Sequence, residues 1–65
     1  MRLTINGEII SLDNIITVSD LIKHLGLHDK IAIEINREIV PRSQFDTHPL
    51  RQGDTIEIVR AIGGG

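Results

Sequence analysis

Residues 1–12 read MRLTINGEIISL, and apolar and polar side chains alternate on both sides of Asn6-Gly7. A period of two is typical of a half-buried strand, and Asn-Gly favours a two-residue hairpin turn because both residues tolerate positive φ. This turn pairs Ile5 with Glu8, which predicts the core-facing side chains of the hairpin: Leu3, Ile5, Ile10 and Leu12. Thr4 and Ile9 then face the other side of the sheet.

A short helix is predicted after this hairpin. Thr17 and Asp20 have the spacing of a capping box, with Asp in place of the usual Glu or Gln. Gly26 is the predicted C-terminal cap, since glycine readily adopts the left-handed conformation that ends many helices. Between the caps, apolar residues recur at the spacing of one buried helix face. They are Val18, Leu21, Ile22 and Leu25.

A second hairpin and a final strand follow. Residues 31–35 and 38–40 flank a weaker turn candidate, Asn36-Arg37, and Pro41 marks the second strand as short and at a sheet edge. Residues 42–50 have no regular period, and their Phe45 and Leu50 are expected to close the core. Residues 55–59 alternate again as the last strand.

The order ββαββ with one irregular insertion predicts an α+β fold of the β-grasp type. One main helix would lie across one face of a mixed sheet of four or five strands. The first and last strands would be parallel neighbours in the centre of that sheet. We therefore expect a β-grasp domain over residues 1–61 and a flexible glycine tail over residues 62–65, leaving from a central strand.

Composition excludes several classes of function. Sixty-five residues suit one small domain, and neither the net charge of −2 nor the single aromatic residue, Phe45, favours nucleic-acid binding. The absence of cysteine excludes thiol catalysis, a cysteine zinc site and disulfides. No signal peptide and no long apolar segment is evident, so we expect a cytoplasmic protein that binds no membrane.

The last residues read Ile62-Gly63-Gly64-Gly65. Without Cβ atoms the glycines make a thin thread, and four residues reach at most ~13 Å. Such a thread is suited to carry the Gly65 carboxylate into a partner's active site, where joining to AMP makes an acyl adenylate. A sulfur nucleophile then gives a thiocarboxylate, and an amine gives an amide conjugate. Three glycines are also typical of a frayed end or a linker.

Histidines and acidic residues are the other candidate sites. His24 and His28 are four residues apart, but Gly26 is predicted to end the helix between them, and only His48 remains. We therefore expect no metal site. We also expect no catalytic pair, because the strand carboxylates occupy outward positions typical of solvated charges. They are Glu34, Glu38 and Glu57.

The outer face of the predicted sheet is a candidate docking surface. Ile9, Ile39 and Val59 fall on this face, and Arg60 is expected at its rim. Isolated exposed apolar residues are common, but if the tail enters a partner's active site, the open face of the sheet is a natural place for that partner to bind.

Several motifs together resemble one family along essentially the whole chain. They are Leu3 to Gly7, Thr17-Val18 with Leu21-Ile22 and Leu25, Ala32 to Asn36, Ile39-Val40-Pro41-Arg42, Gly53-Asp54 and the ending Gly64-Gly65. This set resembles the ThiS family, the ubiquitin-like sulfur-carrier proteins of thiamine biosynthesis. The Val-Pro-Arg step and the diglycine ending are specific only in combination.

The resemblance implies a carrier that is a substrate of enzymes and binds no cofactor. A ThiF-like adenylyltransferase would spend ATP on the Gly65 carboxylate, and a sulfur donor system such as a cysteine desulfurase would supply the sulfur. A ThiG-like thiazole synthase would use the resulting thiocarboxylate to build the thiazole ring of thiamine. Gly65 would be the thiocarboxylated residue and Gly64 its partner in the motif. Gly63 stands where family members often carry another small residue.

Two further hypotheses remain open at this point. A molybdopterin-type carrier or a ubiquitin-like protein tag has the same fold, although the former is usually longer and the latter would form amide-linked conjugates. A β-grasp interaction module without tail chemistry would keep its function after removal of Gly64 and Gly65.

Overall fold

The regular elements follow the predicted order. The computed structural model describes residues 1–27 and 30–60. Its elements are β1 (Arg2–Ile5), β2 (Glu8–Ser11), α1 (Val18–Leu25), β3 (Ile31–Ile35), β4 (Glu38–Val40), a 3₁₀ turn (Arg42–Gln44) and β5 (Thr55–Arg60). The five strands form one sheet in the order β2-β1-β5-β3-β4. The predicted β-grasp fold is confirmed, with β5 in the centre and β4 at an edge.

Both hairpins have the predicted turns and registers. Ile5 lies opposite Glu8 in the first hairpin, and Ile33 lies opposite Val40 in the second. Every turn residue adopts positive φ, as a type I′ turn requires. Three of the four are not glycine, and the least expected of them is Arg37, whose φ of 72° lies in a region that side chains with a Cβ rarely adopt.

The capping box at the start of α1 is formed as predicted. The Asp20 N–H donates to Thr17 Oγ1 at 3.3 Å. In return, the Asp20 carboxylate accepts the N–H groups of Thr17 and Ile16, each at 3.0 Å. These reciprocal bonds satisfy donors that a helix start otherwise leaves unpaired, so an eight-residue helix has a defined beginning.

The irregular insertion satisfies the remaining donors of the first turn of α1. The Val18 N–H donates to the His48 carbonyl at 3.1 Å, and the Ser19 N–H donates to the Phe45 carbonyl at 2.9 Å. Residues 45–48 therefore act as a backbone cap on the helix. This explains why a segment without regular structure has a fixed place against the core.

The end of α1 leaves one predicted core residue at the surface. Gly26 has a φ of 69°, and the Leu27 N–H donates to the Ile22 carbonyl at 3.1 Å, which is the bonding of a Schellman cap. Val18 and Leu21 are buried and Ile22 is partly buried, but Leu25, in the last turn of α1, is 37 % exposed. The prediction that Leu25 belongs to the buried face of the helix is therefore wrong.

One residue of the described core was not predicted from the sequence. Ile15, in the connector before the helix, is 7 % exposed, because the Leu50 N–H donates to the Ile16 carbonyl and holds the connector against the insertion. Within residues 1–27 and 30–60, the buried residues are Leu3, Ile5, Leu12, Ile15, Val18, Leu21, Ile33, Ile35, Val40, Phe45, Leu50 and Ile56. The predicted plugs Phe45 and Leu50 are among them.

Removing one methyl group from the centre of β5 should measure how tightly this core is packed. Ile56 is fully buried, so Ile56→Val is expected to lower the free energy of unfolding by about 1 kcal/mol. The matched control is Ile39→Val, the same chemical change at a residue that is 73 % exposed, and its effect should be within about 0.5 kcal/mol of zero. Urea unfolding gives both values, and equal effects would contradict the assigned core.

The capping carboxylate should make stability depend on pH. The N–H groups of Thr17 and Ile16 hold the pKa of Asp20 below its ordinary value. A carboxylate with a lowered folded-state pKa stabilises the fold at neutral pH, and this contribution is lost as the pH falls through that pKa. We expect Asp20→Asn, which still accepts hydrogen bonds but does not titrate, to lose less stability than wild type between neutral pH and about pH 3.

Urea unfolding at the two pH values measures this difference. Asp13→Asn removes an exposed carboxylate from the connector and should keep the full acid-induced loss of the wild type. Equal losses in Asp20→Asn and wild type would show that the capping carboxylate is not the titrating group.

Candidate functional site

The candidate site is the end of β5, where the chain leaves the sheet. β5 pairs parallel with β1 through Thr4–Thr55 and Ile5–Ile56, as predicted for the first and last strands. On its other side β5 pairs antiparallel with β3, and this pairing continues to Arg60 opposite Ile31. The strand that leads to the predicted tail thus pairs with β1 at its start and with β3 from Ile56 to Arg60.

A side chain extends the β1 side of this pairing. β1 ends at Ile5, but the Asn6 N–H still donates to the Ile56 carbonyl at 2.9 Å. The Asn6 amide then bonds to both backbone groups of one residue in β5. Its Oδ1 accepts the Ile58 N–H at 2.8 Å, and its Nδ2 donates to the Ile58 carbonyl at 3.2 Å.

An equivalent asparagine holds the opposite end of β5. Asn36 Oδ1 accepts the Thr55 N–H at 3.0 Å, and its Nδ2 donates to Asp54 Oδ1 at 3.0 Å. Asn6 and Asn36 occupy the first position of the two hairpin turns, with φ of 49° and 51°. The sequence analysis predicted Asn6 and Asn36 as turn residues and gave their side chains no role. The signal that it missed is the amide group, which neither glycine nor aspartate supplies in full.

The three apolar residues of the predicted docking face lie on the outer side of the sheet and are exposed. Ile9 is 68 % exposed, Ile39 73 % and Val59 59 %. They lie on β2, β4 and β5, so two strand spacings separate Val59 from each of the other two. Polar residues lie between them, because Ile9 is opposite Thr4 and Ile39 is opposite Glu34. The face therefore presents separate apolar side chains, and its role in docking stays a prediction.

Arg60 lies on the other side of the sheet from Val59. Side chains alternate along a strand, so Arg60 shares the helix side with Ile58. It lines a groove of about 380 Å³ whose other walls include Leu25 and Leu27 at the end of the helix. The expected position of Arg60 at the rim of the outer face is thus corrected.

The remaining candidates do not assemble into a site in the part of the chain that the structure describes. No three His, Asp or Glu side chains within residues 1–27 and 30–60 are placed to hold a metal ion. His48 Nδ1 lies 3.0 Å from the Pro49 carbonyl, and His24 is exposed in the last turn of α1. His28 lies outside the described residues, as does Asp29. No described helix combines the length and apolar character needed to cross a membrane.

The predicted tail residues also lie outside the described residues. These residues are Gly63, Gly64 and Gly65, and the boundary predicted between residues 61 and 62 lies in the same part of the chain. The structure describes the chain up to Arg60, the last residue of β5.

A helix across one face of a mixed five-stranded sheet, with parallel first and last strands in its centre, defines a ubiquitin-like β-grasp protein. The model of the ThiS family matches residues 3–65, and this match includes all three tail glycines. The chain belongs to the ThiS family.

Individual relatives agree with this assignment. The chain is 40 % identical over 50 residues to the sulfur carrier protein ThiS of Bacillus subtilis, covering 75 % of this chain and 76 % of that protein. The crystal structure of a thiamine biosynthesis protein (ThiS) from Geobacter metallireducens superposes with a TM-score of 0.86 at 30 % identity, with full coverage of both chains.

A longer relative contains a region similar to the whole chain. A thiazole synthase from Paramagnetospirillum magneticum is 44 % identical over 66 residues, which cover 100 % of this chain but 20 % of that protein. The chain thus spans a fifth of the length of this relative.

Proposed function

We propose that the chain is a sulfur carrier of thiamine biosynthesis and that the Gly65 carboxylate is the group that carries sulfur. The observation that carries this proposal is the family match through residue 65, because it places the glycine ending inside the region of similarity. The proposal requires a free carboxyl group at Gly65. The central position of β5 supports it, since a well-held strand gives the following residues a defined origin.

The proposed chemistry proceeds in two displacements. A Gly65 carboxylate oxygen attacks the α-phosphorus of ATP, pyrophosphate leaves, and an acyl adenylate forms. A sulfide equivalent then attacks the carbonyl carbon, and AMP leaves with the oxygen that was joined to phosphorus. The net change on the chain is one carboxylate oxygen replaced by sulfur. The chain supplies the reacting group, and the catalytic groups belong to its partners.

The proposed partners follow from this chemistry and from the relatives. A ThiF-like adenylyltransferase would bind and consume ATP. A sulfur donor system such as a cysteine desulfurase would deliver persulfide sulfur, and a thiol reductant would supply the two electrons that bring it to the level of sulfide. A ThiG-like thiazole synthase would take the sulfur for the thiazole ring. The thiazole synthase of Paramagnetospirillum magneticum supports the last step, because it contains a region similar to the whole of this chain. We propose the cytoplasm, where ATP is available, as the place of the reaction.

Intact-mass measurement tests the carrier chemistry. After incubation with a ThiF-like adenylyltransferase, ATP and a sulfur donor, the chain should gain the mass difference between sulfur and oxygen. The gain should disappear without ATP and in a variant that lacks Gly65. Oxidation of Met1 gives nearly the same nominal mass change, so the reaction without ATP is an essential control.

Three other results would contradict the proposal. An unchanged mass with an adenylyltransferase that activates another ThiS protein would exclude the carrier role. An amide bond to a lysine of another protein would indicate a protein tag. Activity that survives removal of Gly64 and Gly65 would indicate an interaction module.

The outer face of the sheet should contribute to docking on the adenylyltransferase. Val59 is exposed on the strand that leads to the tail, so Val59→Asp would place an unpaired charge in the contact and should raise the dissociation constant by about tenfold or more. Thr47→Asp is the matched control, because it adds the same charge at an exposed position of the irregular insertion. Unchanged binding of Val59→Asp in a titration by calorimetry would remove Val59 from the interface.

A further inference from the structure

The two neighbours of β5 do not extend equally far. β3 accompanies β5 to Arg60, whereas β1 ends at Ile5 and the chain turns away through Asn6-Gly7. In a regular parallel pair the next residues of β1 would bond to the N–H and carbonyl of Ile58. The turn removes those residues. Both backbone groups of Ile58 point to the β1 side, so without a substitute neither would have a hydrogen-bond partner in β1.

The Asn6 amide supplies both missing bonds. Its Oδ1 accepts the Ile58 N–H at 2.8 Å, and its Nδ2 donates to the Ile58 carbonyl at 3.2 Å. An amide has one carbonyl oxygen and one NH₂ group, so it reproduces the acceptor and donor of a peptide unit. The left-handed backbone at Asn6 (φ 49°) bends the chain into the turn while the side chain remains beside β5.

We infer that Asn6 is a positioning residue for the tail chemistry, which it serves by fixing the direction in which β5 leaves the sheet. This inference rests on the proposed function, since direction matters only if Gly65 must reach a reaction centre. Ile58 lies two residues before the end of β5. Holding its peptide groups on the β1 side prevents the end of the strand from swinging about its remaining partner, β3.

The same bonds are expected to contribute little to global stability. Both Asn6 contacts with Ile58 are exposed to solvent, so water competes for the same donors and acceptors. The Asn6 N–H bond to the Ile56 carbonyl is a backbone bond and does not depend on the side chain. A variant at position 6 should therefore fold, and its main defect should appear in the orientation of the strand end.

The chain contains a matched control for this inference. Asn36 has the same turn position, nearly the same φ of 51°, and an amide bonded to β5 at Thr55, the end away from the tail. Asn6→Gly and Asn36→Gly each remove an amide, and glycine readily adopts the positive φ that both turns need. A general loss of turn stability should affect both variants, whereas a positioning role belongs to Asn6 alone.

The experiment measures pyrophosphate release by a ThiF-like adenylyltransferase with ATP and increasing concentrations of wild type, Asn6→Gly or Asn36→Gly. We expect Asn6→Gly to lower kcat by at least about threefold, because the carboxylate reaches the α-phosphate less often. KM should be unchanged, since the docking face is intact. Asn36→Gly should match wild type in both constants. A lower fraction of folded carrier would raise the apparent KM instead, which separates a folding defect from a positioning defect.

Backbone ¹⁵N relaxation provides a second readout that needs no partner. Order parameters at Val59 and Arg60 should fall in Asn6→Gly and stay at their wild-type values in Asn36→Gly. Equal kcat values for the two variants, or unchanged order parameters in Asn6→Gly, would overturn the inference. If the wild type itself releases no pyrophosphate, the proposed function fails, and the order parameters still decide whether Asn6 holds the strand end.

Discussion

The parallel pairing of β1 with β5 is the contact on which the rest of the sheet depends. β2 joins the sheet only through β1, and β4 joins only through β3, which in turn depends on β5. Without the central pair the sheet would separate into a two-stranded and a three-stranded piece, and a lone hairpin is marginal in water. The pair joins two strands that are about 50 residues apart in the chain, so its formation costs the conformational entropy of closing a loop of that length. Burial of Ile5 and Ile56 in the core beside it provides the compensating free energy.

This central pair is short, and side chains lengthen it. Two residue pairs join β1 to β5 in the described part of the chain, because the first hairpin turns immediately after Ile5. Asn6 extends the contact to Ile58, and Asn36 holds the other end of β5 at Thr55. Each asparagine thus has two tasks, since its backbone makes a hairpin turn and its amide bonds to a third strand. This arrangement connects the conformation of both turns to the position of the strand that leads to the candidate site.

Most of the fold follows from patterns that are local in the sequence. Alternation around Asn6-Gly7 predicts the register of the first hairpin, because a shift by one residue would turn its apolar side chains away from the core. The spacing of Thr17 and Asp20 predicts the start of the helix. Ile15 was missed because its burial depends on the insertion, which is distant in sequence and has no period of its own. Side chains alternate along a strand, so Arg60 must face the same side as Ile56 and Ile58, which is the helix side. The position of Arg60 was therefore predictable from the sequence. The contact of Asn6 with Ile58 was not predictable from local patterns, because it requires knowing which strand lies beside the turn.

In the proposed reaction the chain is a substrate, and this changes what its fold must achieve. The partner provides the catalytic groups, so the fold contributes by determining where the tail begins and in which direction it points. Along β5 the restraint on the β1 side changes in steps. Ile56 is buried and paired on both sides, Ile58 has a strand on one side and an amide on the other, and Arg60 pairs with Ile31 of β3. Residues that influence tail chemistry without reaching the tail should therefore lie around Ile58, where the restraint changes from a full strand to a single side chain.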